Sequence, residues 1–119
     1  MATIAYLVQD LLFTSKIREA AAGLGVDVLS ARDPEALGQA ARGARLVIVD
    51  LRLPAALRAL DVLAADPGTA RVRRVGFVDH ERTDVMEAAR ARGCEPLAKG
   101  QFAGMLPALL REAGREGEA

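Results

Sequence analysis

The sequence predicts a three-layer α/β/α domain around a five-stranded parallel sheet with strand order 2-1-3-4-5. Three observations carry this expectation. Short apolar runs alternate with stretches of helical spacing, which implies parallel strands joined by right-handed crossover helices. The run Leu46-Val47-Ile48-Val49 is continuously apolar and mostly β-branched, as in a strand buried on both faces. Gly25, Gly43, Gly93 and the turn Asp66-Pro67-Gly68 close the helical stretches, the punctuation that short connections require.

Each element has its own local reason. Strands are expected over residues 3–8, 26–30, 45–50, 74–78 and 95–98. Phe13, Ile17, Ala20 and Leu24 follow helical spacing between the first two, and Gly25 ends that helix. Asp33 is placed to cap a second helix with Pro34 in its first turn, running to about Arg42 and ending at Gly43. After Pro54, the stripe Leu57, Leu60, Leu63 makes a third helix. Thr83 opens a fourth, carrying Val85, Met86 and Ala89. Phe102, Met105, Leu106, Leu109 and Leu110 make a last amphipathic helix, in which Pro107 fits only within the first turn. Residues 1–114 are expected to form one domain with no attached output module, and 115–119 a flexible polar tail.

Composition narrows the function. The chain has 119 residues, 51% hydrophobic and 27% charged, enough for one globular domain with a real core. Formal net charge is +0, which argues against broad attraction to nucleic acid or to an anionic membrane. The single cysteine, Cys94, rules out an internal disulfide, suits a reducing compartment and is read as a small core residue. No run reaches the roughly 20 apolar residues that span a bilayer, and the apolar start at residues 4–8 is too short for a signal peptide. The cytoplasm is the expected location.

Chemistry is expected at the carboxyl ends of the strands, where open α/β sheets bind their ligands. In the flavodoxin-like order the switch point lies between strands one and three. Asp10 follows strand one and Asp50 ends strand three, so both carboxylates should meet in one crevice. Asp79 and His80 follow strand four, and Lys99 follows strand five. His80 is the only histidine, which excludes a multi-histidine metal site. No phosphate-binding loop, dinucleotide fingerprint or serine elbow is present. Arg71, Arg73 and Arg74 make a basic knot at the opposite end of the sheet, read as solvated ends or a partner contact.

With Gln9-Asp10 after strand one, Val47-Ile48-Val49-Asp50 followed by Pro54, and Lys99 after strand five, the chain resembles the CheY-like receiver domains of two-component response regulators. The resemblance extends from Ile4 to about Ala113. It implies a phosphoacceptor at Asp50, a phosphoryl-pairing lysine at Lys99, and a divalent metal, Mg2+, held by Asp10 and Asp50. It also implies a histidine kinase or self-association among the partners.

The chain departs from that pattern in several places. Gln9 stands where a second acid is expected, leaving a weaker metal pocket. Asp79 replaces the Ser/Thr that senses the phosphoryl group. A phosphoryl group carries about −1.5 to −2 charges, and a like charge at ~4 Å costs about 4 kcal/mol per charge pair at an effective dielectric near 20. Strand five has no aromatic switch, and Lys99-Gly100 replaces a lysine-proline ending. A set of stand-alone receiver-like proteins is a closer match, on Asp10-Leu11-Leu12-Phe13, Gly76-Phe77-Val78-Asp79-His80 and Lys99-Gly100-Gln101-Phe102.

The leading expectation is a stand-alone receiver-like signalling module that works by protein–protein contact, is not an enzyme, and has weakened or lost phosphotransfer. Two alternatives stand beside it: a working response regulator phosphorylated on Asp50, and a small metal-dependent phosphohydrolase using Asp10, Asp50 and Asp79. The plainer readings of the same residues are a helix cap for Asp10, and for Asp50 an ion pair with Lys99 or a cap on the amides of the next turn.

Overall fold

The computed structural model of the chain describes residues 2–118, so Ala119, at the end of the expected tail, lies outside the described residues. Elements run β1 (Ile4–Leu7), α1 (Leu11–Leu24), β2 (Val28–Ser30), α2 (Pro34–Ala40), β3 (Leu46–Asp50), α3 (Ala56–Ala65), β4 (Arg73–Val78), α4 (Thr83–Arg90), β5 (Cys94–Ala98) and α5 (Lys99–Glu118). The five strands form one sheet in the order β2-β1-β3-β4-β5, every pair parallel.

Side chains alternate across a strand, and this alternation divides the core into two layers. Ala5, Leu7, Val47, Val49 and Val78 face α2, α3 and α4, packing on Leu37, Leu60, Leu63 and Ala89. Ile4, Tyr6, Ile48, Val75 and Phe77 face α1 and α5, packing on Phe13, Ile17, Phe102, Leu106 and Leu110. Asp50 has the parity of Leu46 and Ile48. It therefore belongs to the side of the sheet covered by α1 and α5.

Helix ends follow the expected chemistry. The Asp33 carboxylate accepts the Ala36 amide, with Pro34 in the first turn of α2. Gly25 takes the left-handed conformation (φ 67°) that closes α1 and returns its N–H to the Ala21 and Ala22 carbonyls.

One local expectation is corrected. Pro107 lies inside α5, well past its first turn, because the helix starts directly at Lys99 with no intervening loop. Its ring is on the solvent side of the helix, where water can take the carbonyl that has lost its partner. The same helix runs on through Gly114 to Glu118.

The basic knot is also not uniformly solvated. Arg74 is buried, and its Nη2 donates to the Ala70 carbonyl at 2.6 Å and more weakly to that of Thr69 at 3.4 Å. Arg73 bridges Glu95 and Glu112 on the surface. Cys94 is a buried core residue, and burial pushes its thiol up to about 12.

Candidate functional site

The site is assembled at the carboxyl end of β1 and β3 by a short piece of backbone. β3 keeps pairing with β4 one residue beyond Asp50, the Leu51 amide donating to the Phe77 carbonyl at 2.9 Å. Leu51 lies flat on Gly76, where a Cβ would come within 2.7 Å of its Cγ and Cδ1. The chain then turns, and the Arg52 amide donates to Asp50 Oδ1 at 3.0 Å, the geometry of an Asx turn.

That turn sends the Arg52 side chain back over the carboxylate. Its Nε donates to Asp50 Oδ1 and its Nη2 to Asp50 Oδ2, each at 2.9 Å. The same Nη2 reaches Asp10 Oδ2 at 3.1 Å. Both oxygens of Asp50 are thus engaged by one planar fork, the geometry in which arginine–carboxylate pairing is strongest. Asp50 is only 2% exposed, whereas the Arg52 side chain is 27% exposed.

Asp10 serves two masters. Its Oδ1 caps α1 by accepting the Leu12 and Phe13 amides at 2.8 and 3.1 Å, while Oδ2 faces Arg52. The Phe13 amide, with Arg52 behind it, holds the Asp10 carboxyl below its ordinary value. Below the guanidinium three rings stack, Phe13 on Phe77 at 4.4 Å and Phe77 on Phe102 at 4.6 Å between centroids. Arg52 Cζ lies 5.5 Å from the Phe13 ring and 5.3 Å from that of Phe77, within cation–π range. The hydrogen bonds to Asp50 raise the affinity of the guanidinium for its proton further, so it is a permanent cation.

The sequence-predicted residues are therefore brought together in a different pairing. Asp10 and Asp50 do converge. Lys99 does not ion-pair with Asp50: its Nζ contacts Asp79 Oδ1 at 2.6 Å, and this contact holds the Asp79 carboxyl low. The correction has a local cause. Arg52 is two residues from Asp50 and its fork fits both oxygens, while Lys99 meets a nearer acid at the end of β4. Asp50 does accept an amide of the following turn, as its plainer reading had it. His80 is exposed, with Nε2 3.5 Å from Glu81, and takes no part in the site. Arg52 and the phenylalanine stack are the features that sequence reasoning missed. The available signals were the Asp-x-Arg spacing and the shared strand parity of Asp50 and Phe77's layer.

A divalent metal does not fit this donor set with Arg52 in place. The guanidinium nitrogen already bridges the two carboxylates that a cation would need. A doubly charged ion about 4 Å from it would be repelled by roughly 8 kcal/mol at an effective dielectric near 20. Gln9 adds no charge to offset this. Among the described residues no group of three or more His, Cys, Asp and Glu side chains could hold a metal ion.

Comparison with known proteins gives the fold a name. No family model matches the chain, and no curated protein matches it. Solved structures do. A response regulator from Hahella chejuensis superposes with a TM-score of 0.77 at 15% identity, covering 95% of each chain. The receiver domain of a sensor histidine kinase from Pseudomonas aeruginosa, which has magnesium coordinated in its active-site cleft, superposes at 0.76 with 20% identity. That match covers 95% of this chain and 98% of the other. The chemotaxis response regulator CheY4 of Vibrio cholerae superposes at 0.76 with 15% identity and the same coverage. The chain has the CheY-like, flavodoxin-type receiver fold over nearly its whole length.

Proposed function

We propose that this chain is a stand-alone receiver-fold signalling module that acts through protein–protein contacts, with phosphotransfer weakened or lost. The observation that carries this reading is the two-point grip of Arg52 on Asp50. A carboxylate acts as a nucleophile through an oxygen lone pair aimed at the incoming phosphorus. Here both oxygens accept charge-assisted hydrogen bonds, and the group is almost wholly shielded from solvent. The lysine that would steady a phosphoryl group is engaged with Asp79. On this reading the module is cytoplasmic, performs no turnover chemistry, and presents the surface of α4, β5 and α5 to a protein partner, either a histidine kinase or a second copy. Met105 and Pro107 are exposed on that surface, and Met86 is half-buried there. Among the described residues no helix is long and apolar enough to cross a membrane.

The test is chemical. The full chain is incubated with acetyl phosphate and Mg2+ and its intact mass is followed. The expected result is no phosphoryl adduct beyond that of Asp50→Asn. A base-labile adduct that appears in the natural chain and vanishes in Asp50→Asn would instead establish a working phosphoacceptor.

A further inference from the structure

Three observations converge on the charge balance of the site. First, Arg52 Nη2 stands between Asp10 Oδ2 and Asp50 Oδ2, 3.1 and 2.9 Å away. Second, the guanidinium is tethered by its own backbone: the Arg52 amide is fixed to Asp50 Oδ1, and Leu51 is seated on Gly76. Third, the guanidinium lies against the Phe13 and Phe77 rings, which fix it from below. Each of these orders a long side chain before any partner arrives, so the entropy of placing the charge is already met by folding.

We propose that Arg52 is the resident cation of this site: it takes the position and charge that a divalent ion would need between Asp10 and Asp50, and its removal uncovers a latent divalent-cation site. The inference rests on the reading of Asp50 as silenced, and deepens it by naming the device. The side-chain oxygens that Arg52 touches are those of Asp50 and Asp10, with the Phe13 and Phe77 rings beneath. Without Arg52 the site presents two carboxylates, with the Gln9 amide adjacent in sequence, a set that suits Mg2+ or Mn2+ with several waters retained. With Arg52 the same two carboxylates share one permanent positive charge that no chelator can strip. A metal can then enter only by displacing a fork that makes three side-chain hydrogen bonds to carboxylate oxygens.

The experiment compares the full natural chain with Arg52→Met, which keeps an apolar stem against the rings and loses the charge, and with Arg52→Met/Asp10→Asn. Mn2+ is titrated calorimetrically and by the paramagnetic signal of the free ion, and thermal melting is recorded with and without the metal. The natural chain is expected to show no stoichiometric binding and an unchanged melting temperature. Arg52→Met should bind one Mn2+ at least about tenfold more tightly than the natural chain, the factor expected from a lost charge-assisted contact. It should also melt higher with Mn2+, and the double variant should lose both effects. If Arg52→Met does not fold unaided, recovery of its helical dichroism on adding Mn2+ supports the proposal, and no recovery overturns it. Equal affinity in the natural chain and Arg52→Met, or no binding by a folded Arg52→Met, also overturns it. No phosphoryl group enters this titration. A natural chain that ignores Mn2+ but is labelled by acetyl phosphate would therefore refute the silenced reading while leaving the cation assignment standing.

Discussion

At the carboxyl end of the sheet Arg52 grips an aspartate that is 2% exposed, whereas at the amino end Arg73 bridges Glu95 and Glu112 in contact with water. Both arginines form two-point pairs at similar distances. Their energetic roles differ because their surroundings do. An exposed pair gains little over its hydrated parts and weakens with salt, because the Debye length is only about 8 Å at physiological ionic strength. A carboxylate shut away from water depends on its partner, since losing that partner leaves a buried charge with nothing to offset its desolvation. The contrast teaches that a count of ion pairs says little, and that burial of the acid decides which arginine the fold requires.

Substitutions can break this contrast in order of size. Arg52→Met is expected to lower unfolding free energy by about 2–4 kcal/mol, somewhat below the range for fully buried pairs because the arginine itself is partly exposed. Chemical denaturation in low salt measures this, and the loss should shrink when Asp50→Asn is combined with it. Next comes Gly76→Ala. Its Cβ would press on Leu51, and overpacking of this kind costs about 1–3 kcal/mol. Because Leu51 sets the turn that aims Arg52, the variant should also loosen the clamp, seen as faster solvent exchange of the Arg52 Nε–H. At the other end of the sheet, Gly93→Ala should cost about 1–2 kcal/mol, since φ is +79° there and the Cβ would lie 2.9 Å from Arg74 Nη1. Smallest of all, Arg73→Gln should change stability by less than about 1 kcal/mol, with the difference vanishing in high salt.

Acid titration sharpens the same comparison. Asp10 has a folded-state value below its ordinary 3.8, so its contribution is fully present above 3.8 and disappears as pH falls through the lower folded value. The natural chain should lose stability on acidification below about pH 4. Asp10→Asn should start less stable, having lost the contact with Arg52, and show a shallower acid limb. Equal limbs in the two proteins would remove Asp10 from the account.

Much of this was legible in the sequence, for identifiable reasons. Continuous apolar runs alternating with helical spacing fix the sheet, because parallel strands need crossover connections that are usually helices. Asp10 was readable as a cap because a short acid before an apolar helical stripe has one obvious use. Asp50 was readable as a site residue because it ends a fully buried central strand. The pairing was not legible. Arg52 and Asp79 follow strand ends and Lys99 opens α5, and which cation meets which acid is settled at the scale of a hydrogen-bond distance, which periodicity does not reach. Arg52 left a local trace in the Asp-x-Arg spacing, but the seat that Gly76 gives Leu51 involves a second strand. The phenylalanine stack was hidden for the same reason, because its rings come from α1, β4 and α5.

The central claim is that Arg52 is fixed on Asp50 and is the cation of the site, and the Arg52 Nε–H resonance reports on it most directly. The account predicts one arginine Nε–H shifted and protected from solvent exchange, absent in Arg52→Met, and unmoved by Mg2+. An Arg52 Nε–H that exchanges as fast as those of the surface arginines, or that shifts as Mg2+ is added, would contradict it.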